Sequence, residues 1–208
     1  MLLIIPGIII SYLVGSIPTA YIFGRLLRGI DIRKFGSGNV GATNALRVLG
    51  KGPGIIVLAL DIIKGFLPVI LLGNFIYPRS GMKTDMVFVI LGIACIIGHN
   101  WTLFLGFKGG KGIATTLGVL IALAVKIPGL ENVLALTIFT WLLIFLISRI
   151  VSLSSIAAAL ALPLYLILFK QSIQMLVSGI ILTAFVILRH KSNLTRIFQG
   201  KESKLIFK

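Results

Sequence analysis

Seven stretches of this chain are almost free of charge: about 2–24, 54–77, 86–105, 112–127, 132–148, 153–169 and 173–188. Several approach the ~20 residues that a helix needs to cross ~30 Å of hydrocarbon, and that length constrains the fold more than any motif does. Within a bilayer every backbone N–H and C=O must find a partner inside the protein, so such runs become helices. Composition agrees. Of 208 residues, 58% are hydrophobic and 12% charged, with mean hydropathy +1.11, whereas soluble domains carry about a quarter charged residues. A soluble core cannot absorb so much apolar side chain. The expected class is an all-α integral membrane protein with about seven transmembrane helices, one polytopic domain over residues 1–208. The fourth and fifth runs are shorter and could instead form a re-entrant pair, which leaves the sidedness of the rest unchanged.

Charge gives the orientation. The chain has 20 Lys and Arg against five acids, a net charge of +15. The opening stretch lacks the basic region of a signal peptide, and its first cation, Arg25, follows the apolar run. That pattern predicts an uncleaved first span with the N-terminus outside. Alternate connections counted from that start put Arg25, Arg28, Arg33, Lys34, Arg47, Lys51, Lys108, Lys111, Arg149, Arg189, Lys191, Arg196, Lys201, Lys204 and Lys208 inside, fifteen in all. Only four, Arg79, Lys83, Lys126 and Lys170, fall outside, and Lys64 lies within the second run. Fifteen to four predicts a cytosolic C-terminus. The same inside segments hold "GSGNVGATNALR", "GHNWTLFLGFKGGKGIATT", "RIVSLSS" and "RHKSNLTRIFQGKES". Unusual polar segments gathered on one face predict an active site at the cytosolic side.

Two glycine patterns invite soluble-protein readings, and both fail on context. Gly36, Gly38 and Gly41 satisfy G-x-G-x-x-G, with Asp61 twenty residues beyond. A dinucleotide fold needs a buried strand before those glycines and the acid at a strand end. Here "RGIDIRKF" precedes them, and Asp61 lies inside a long apolar helix. "GFKGGKG" resembles a P-loop but leaves three residues rather than four between Gly106 and Gly110, and Gly112 stands where a hydroxyl is required. What survives is simpler. Glycine lets backbone N–H groups turn inward and approach an anion. Ser37, Asn39, Thr43 and Asn44 are neutral hydrogen-bonders, with Arg47 a turn further on. Lys108 and Lys111 flank two glycines. His190 and Arg196 follow the last run on the same expected face.

Other polar residues divide between structure and chemistry. Asp61 and Lys64, three apart within a span, can pair on one helical face. His99 is an interfacial or supporting group, and Ser152, Ser154 and Ser155 open the sixth run. Cys95 is a small core residue. Trp101, Trp141 and Tyr77 suit interfacial anchoring. No Ser–His–acid or Cys–His constellation is apparent, so any group transfer is expected to be direct. Neither His99 nor His190 is followed five positions later by an acid, since Phe104 and Thr195 stand there. The rival reading is a transporter of phosphate or a small organic phosphate, whose marks would be basic or broken-helix sites at mid-membrane.

Taken in order, "GSGNVGATNALRVLGKGPG", "GHNWTLFLGFKGGKGIATTLG", "SLSSI" and "RHKSNLTRIFQGKE" resemble the bacterial acyl-phosphate:glycerol-3-phosphate acyltransferase family (PlsY). The resemblance implies transfer of a fatty acyl group from acyl phosphate to the sn-1 hydroxyl of glycerol 3-phosphate, giving lysophosphatidic acid and inorganic phosphate. It implies no metal, acyl-CoA or other cofactor. It places Ser37, Arg47, Lys111 and Asn193 around the glycerol 3-phosphate and phosphate, with His190 and Ser155 close by. The expected catalytic set is His190, Lys111 and Asn193. The expected binding set is Ser37, Asn39, Thr43, Asn44, Arg47, Lys108, Lys111, Ser155, Asn193 and Arg196. The hydroxyl proton passes to His190 or to a substrate phosphate oxygen. Partners are the two substrates and membrane lipid rather than nucleic acid, with a functional link to an acyl-phosphate-forming enzyme. The location implied is the bacterial cytoplasmic membrane, crossed many times.

Overall fold

The computed structural model describes residues 2–205, so Lys208, one of the cations counted above, lies outside them. All regular structure among the described residues is helical. Helices α1 (Ile4–Ser16) and α2 (Thr19–Arg28) are parted at Pro18, which lacks the N–H that would continue the ladder. Then come α3 (Ala42–Leu49), α4 (Lys51–Ser80), α5 (Thr84–Asn100), α6 (Ile113–Lys126), α7 (Leu130–Ser148), α8 (Val151–Leu168), α9 (Ile173–Arg189) and α10 (Lys191–Phe198). Each apolar run is thus helical.

Five segments are long and apolar enough to cross a membrane: Ile4–Arg28, Lys51–Ser80, Thr84–Leu105, Leu130–Ser148 and Val151–Leu168. The pair α9–α10, bent by 63°, can supply a sixth. The fourth run yields only the 14 residues of α6, because Gly112 at φ +78° keeps the preceding chain in a loop. At ~1.5 Å per residue α6 spans ~21 Å, short of the hydrocarbon thickness. The fifth run, by contrast, forms a 19-residue helix of spanning length.

The chain divides into two compact units at residues 126 and 127. In the first, α5 lies along α1 and α6 along α4. Lipid offers no hydrophobic drive between helices, so close approach at small residues and hydrogen bonds must hold them. Ser11 Oγ donates to the Leu91 carbonyl at 2.7 Å, and Ser16 Oγ to the Gly98 carbonyl at 3.2 Å. Between α4 and α6 the approach is reciprocal: a Cβ on Gly65 would collide with the Thr115 carbonyl, and one on Gly118 with that of Ile62. Gly118→Val is therefore expected to destabilise the first unit by about 1–3 kcal/mol, seen as a lower melting midpoint in detergent. Gly52→Ala, where a Cβ meets nothing within 4 Å, should leave the midpoint in place.

In the second unit α8 packs against α7 and α9, and α10 rests on α8 and α9. Trp141 stacks on Phe145 with ring centroids 5.0 Å apart, and its indole N–H donates to Ser155 Oγ at 3.1 Å. The ring expected at the membrane interface thus makes an internal hydrogen bond. After α10 the chain doubles back, and the Leu205 N–H donates to the Arg149 carbonyl at 2.8 Å.

Candidate active site

The first glycine loop is built around one amide. Asn44, 1% exposed on α3, accepts from the Ser37 N–H at 2.8 Å through Oδ1. Its Nδ2 donates to the carbonyls of Asn39 (2.9 Å), Phe35 (3.1 Å) and Ile32 (3.3 Å). Gly36 at φ +60° and Gly38 at φ +72° occupy the left-handed region, and a side chain on Gly36 would strike the Asn44 amide. Asn44, expected as a substrate hydrogen-bonder, instead has its polar atoms turned onto the loop's own backbone. Ser37 is exposed, Asn39 and Thr43 are half-buried, and Arg47 projects to the exposed side of α3. Just before the loop, Asp31 accepts from the Arg33 N–H at 3.0 Å and from its guanidinium at 2.7 Å. The Arg33 hydrogen bond holds the Asp31 carboxyl at about 2, so these two charges match each other.

The second glycine loop shares a floor with the first. Ala20, Ile32, Val40, Ala45, Leu49 and Val57 form a buried apolar cluster under α2, α3 and the first loop. Leu105, immediately before "GFKGGKG", belongs to that same cluster. Beyond it the Gly109 N–H bonds to the Asn100 carbonyl at 3.2 Å and the Gly110 N–H to the His99 carbonyl at 3.0 Å. Lys108 is exposed and Lys111 half-buried on either side of that pair. Two glycine loops, one arginine and two lysines are thus fixed to one small core.

In the second unit two of the remaining candidates, Asn193 and Arg196, meet at an acid not singled out from sequence. Glu202 Oε1 accepts from Asn193 Nδ2 at 2.6 Å and from Ser152 Oγ at 2.8 Å, and Oε2 from Arg196 Nε at 2.6 Å. It is the lone acid in a cationic C-terminal stretch, which was the available signal. Burial opposes its ionisation, yet hydrogen bonds from Asn193, Arg196 and Ser152 outweigh that and hold the carboxyl below its ordinary value. A carboxylate so held is an anchor for Asn193 and Arg196 and a poor base. Its contribution to stability is complete above the unfolded value of about 4.3 and is lost as pH falls through the lower folded value. Glu202→Gln should therefore lower the melting midpoint at neutral pH and flatten its fall below about pH 4.3, as read by melting curves across pH.

His190, 3% exposed at the α9–α10 bend, has Nδ1 2.8 Å from the Val186 carbonyl. A carbonyl can only accept, so Nδ1 carries a proton in this contact. Ser155 is buried, donating to the Val151 carbonyl at 2.8 Å and accepting from Trp141. Among the described residues no three His, Cys, Asp or Glu side chains converge where a metal ion could sit.

This arrangement of basic glycine loops on apolar helices has close counterparts. The family model described as glycerol-3-phosphate acyltransferase matches residues 5–200. This chain belongs to that family. Relatives named glycerol-3-phosphate acyltransferase include one from Thermosynechococcus vestitus, 45% identical over 202 residues, covering 95% of this chain and 92% of the relative. Another, from Trichormus variabilis, is 43% identical over 209 residues, covering 95% and 90%. A crystal structure of PlsY, an integral membrane glycerol 3-phosphate acyltransferase in its glycerol 3-phosphate form, matches with TM-score 0.86 and 37% identity over 98% of this chain and 96% of that one. Its lysophosphatidic acid form matches with TM-score 0.83 at the same identity, over 98% and 95%. As a family member of this likeness, the chain is an integral membrane protein.

Proposed function

We propose that this acyltransferase moves a fatty acyl group from acyl phosphate to the sn-1 hydroxyl of glycerol 3-phosphate. The observation that carries this reading is the shared floor beneath the two glycine loops, which sets Arg47, Lys108 and Lys111 within one compact unit of a membrane protein of this family. Both substrates bring phosphate, and two anions repel unless cations and backbone N–H groups hold them. Ser37, Asn39, Thr43, Arg47, Lys108 and Lys111 take the phosphate groups in this reading, with Asn44 shaping the loop they stand on. Ser155, His190, Asn193 and Arg196 are assigned to the same reaction, Asn193 and Arg196 being steadied by Glu202.

The glycerol hydroxyl oxygen attacks the acyl carbon, the bond from that carbon to the phosphate oxygen breaks, and inorganic phosphate departs. The hydroxyl proton passes to His190 Nε2 or to a phosphate oxygen. Acyl phosphate is already an activated mixed anhydride, so no acyl-enzyme is required. Positioning and stabilisation of the oxyanion and departing phosphate supply the rate enhancement. The protein stands in the bacterial cytoplasmic membrane with its N-terminus outside and crosses seven times in this reading, the 14-residue α6 being a short crossing that local thinning of the bilayer accommodates. The whole chain works as one polytopic unit with the reaction on the cytosolic side, which the fifteen-to-four distribution of cations supports. Membrane lipid and an acyl-phosphate-forming enzyme are its functional neighbours.

Donor choice tests this. Purified protein in a chelating buffer should form lysophosphatidic acid from labelled glycerol 3-phosphate with palmitoyl phosphate and not with palmitoyl-CoA. Product formed only from the thioester, or an acylated side chain trapped on the pathway, would contradict it.

A further inference from the structure

A buried polar cluster lies beneath the second glycine loop, and no step described above uses it. Asp61 on α4 is 1% exposed. Its Oδ1 accepts from Thr19 Oγ1 at 2.5 Å, pairs with Lys64 Nζ at 2.8 Å and lies 3.9 Å from His99 Nδ1. Lys64 Nζ reaches across to the Ile17 carbonyl at 2.7 Å, at the break between α1 and α2. On the same side of the imidazole, Thr115 Oγ1 of α6 stands 3.1 Å from Nδ1. The other ring nitrogen, Nε2, faces Gly110, where an added Cβ would collide with it.

A self-neutralising ion pair needs only two residues of one helix. This one also engages the α1–α2 break and the end of α5, where a polar threonine from α6 meets the same ring. Burying charges in hydrocarbon costs several kcal/mol that an apolar pair would not, so stability alone does not account for it. What the cluster fixes is the tilt of the His99 ring, and the ring lies directly against Gly110. The His99 and Asn100 carbonyls receive the N–H groups of Gly110 and Gly109, so two backbone hydrogen bonds tie the loop to the last turn of α5.

We propose that His99, oriented by Asp61 and Thr115, is a positioning residue that sets the Gly109–Gly110 turn and through it the Lys111 ammonium. The inference rests on the reading that this loop takes substrate phosphate. His99 itself touches no substrate; a displaced ring moves the cation, and misplacement near 1 Å can cost on the order of 100-fold in rate.

Three variants separate the possibilities, each measured for KM toward glycerol 3-phosphate, kcat and melting midpoint in detergent, with palmitoyl phosphate as donor. Thr115→Val removes the hydroxyl while keeping the shape, and Thr115→Ser restores it. Asp61→Asn combined with Lys64→Met removes both charges, so that neither is left buried alone. The expected result is a KM raised about tenfold, roughly the loss of one charge-assisted hydrogen bond, in Thr115→Val and in the double variant. Thr115→Ser should stay within about twofold of the parent on the same scale. Lys111→Ala serves as the reference arm. If Lys111→Ala raises KM while Thr115→Val and the double variant leave it unchanged, the positioning inference is overturned and the phosphate reading stands. If Lys111→Ala leaves turnover and KM unchanged, the phosphate reading falls and the inference with it. A lower yield of folded protein in both neutral variants, with KM unaltered in what folds or no folded protein at all, would make the cluster purely structural and overturn the inference.

Discussion

Replacing Arg47 or Lys111 by alanine is expected to lower kcat/KM for glycerol 3-phosphate by about 10²–10³-fold, the usual effect of deleting one donor aimed at developing charge. Each removes one cation from a reaction that brings two phosphate-bearing molecules together. Arg47 projects from the exposed side of α3, opposite Ala45 and Leu49, which lie in the buried cluster. Its truncation should leave that core packed and the melting midpoint close to the parent's. A guanidinium can fork onto two phosphate oxygens and an ammonium cannot, so Arg47→Lys should recover only part of the loss. Lys111 stands between Gly110, tied to the His99 carbonyl, and Gly112 at φ +78°, which turns the chain into α6. Lys111→Ala should therefore act on turnover more than on folding. Steady-state kinetics beside a melting curve checks both, and normal kinetics in either variant would remove that residue from the site.

Asn44→Ala is the second large effect, and it should touch fold and activity together. The side chain closes four hydrogen bonds to the loop, through Ser37, Asn39, Phe35 and Ile32. Leaving such groups without their partner costs about 1–3 kcal/mol for each one that water cannot reach, and the loop lies only partly in reach of water. A loss of roughly 2–4 kcal/mol in stability and at least about 100-fold in kcat/KM is expected. Asn44→Asp should fare little better, because a carboxylate can accept from Ser37 but cannot donate to three carbonyls. Thr43→Val, on the neighbouring half-buried position, should spare the scaffold. Full activity and an unchanged midpoint in Asn44→Ala would mean that the loop does not depend on this amide.

Much of the helical architecture was legible because hydrocarbon thickness imposes a length on apolar runs that no soluble fold demands. The Asp61–Lys64 pair was legible for a similar reason, since spacing by three places two side chains on one helical face, and they meet at 2.8 Å. Side-chain direction was not legible. Asn44 has the right chemistry for a substrate phosphate, yet the left-handed turns at Gly36 and Gly38 bring four backbone groups to it first. Glu202 stood out only as the lone acid of a cationic stretch, because its contacts with Ser152, Asn193 and Arg196 depend on a chain reversal, which leaves no periodic trace. Nor could spacing join Thr19, Asp61, His99 and Thr115, which come from four different helices. The fourth run was read as apolar over 112–127, while the positive φ of Gly112 delays the helix to Ile113.

The most direct test of acyl transfer is stoichiometry. Purified protein is given palmitoyl phosphate with and without glycerol 3-phosphate, and released phosphate and lysophosphatidic acid are counted in the same sample. The predicted result is phosphate release that requires glycerol 3-phosphate and equals the lysophosphatidic acid formed. Release indifferent to glycerol 3-phosphate, or none from demonstrably folded protein, would contradict the account and turn attention to hydrolysis or transport.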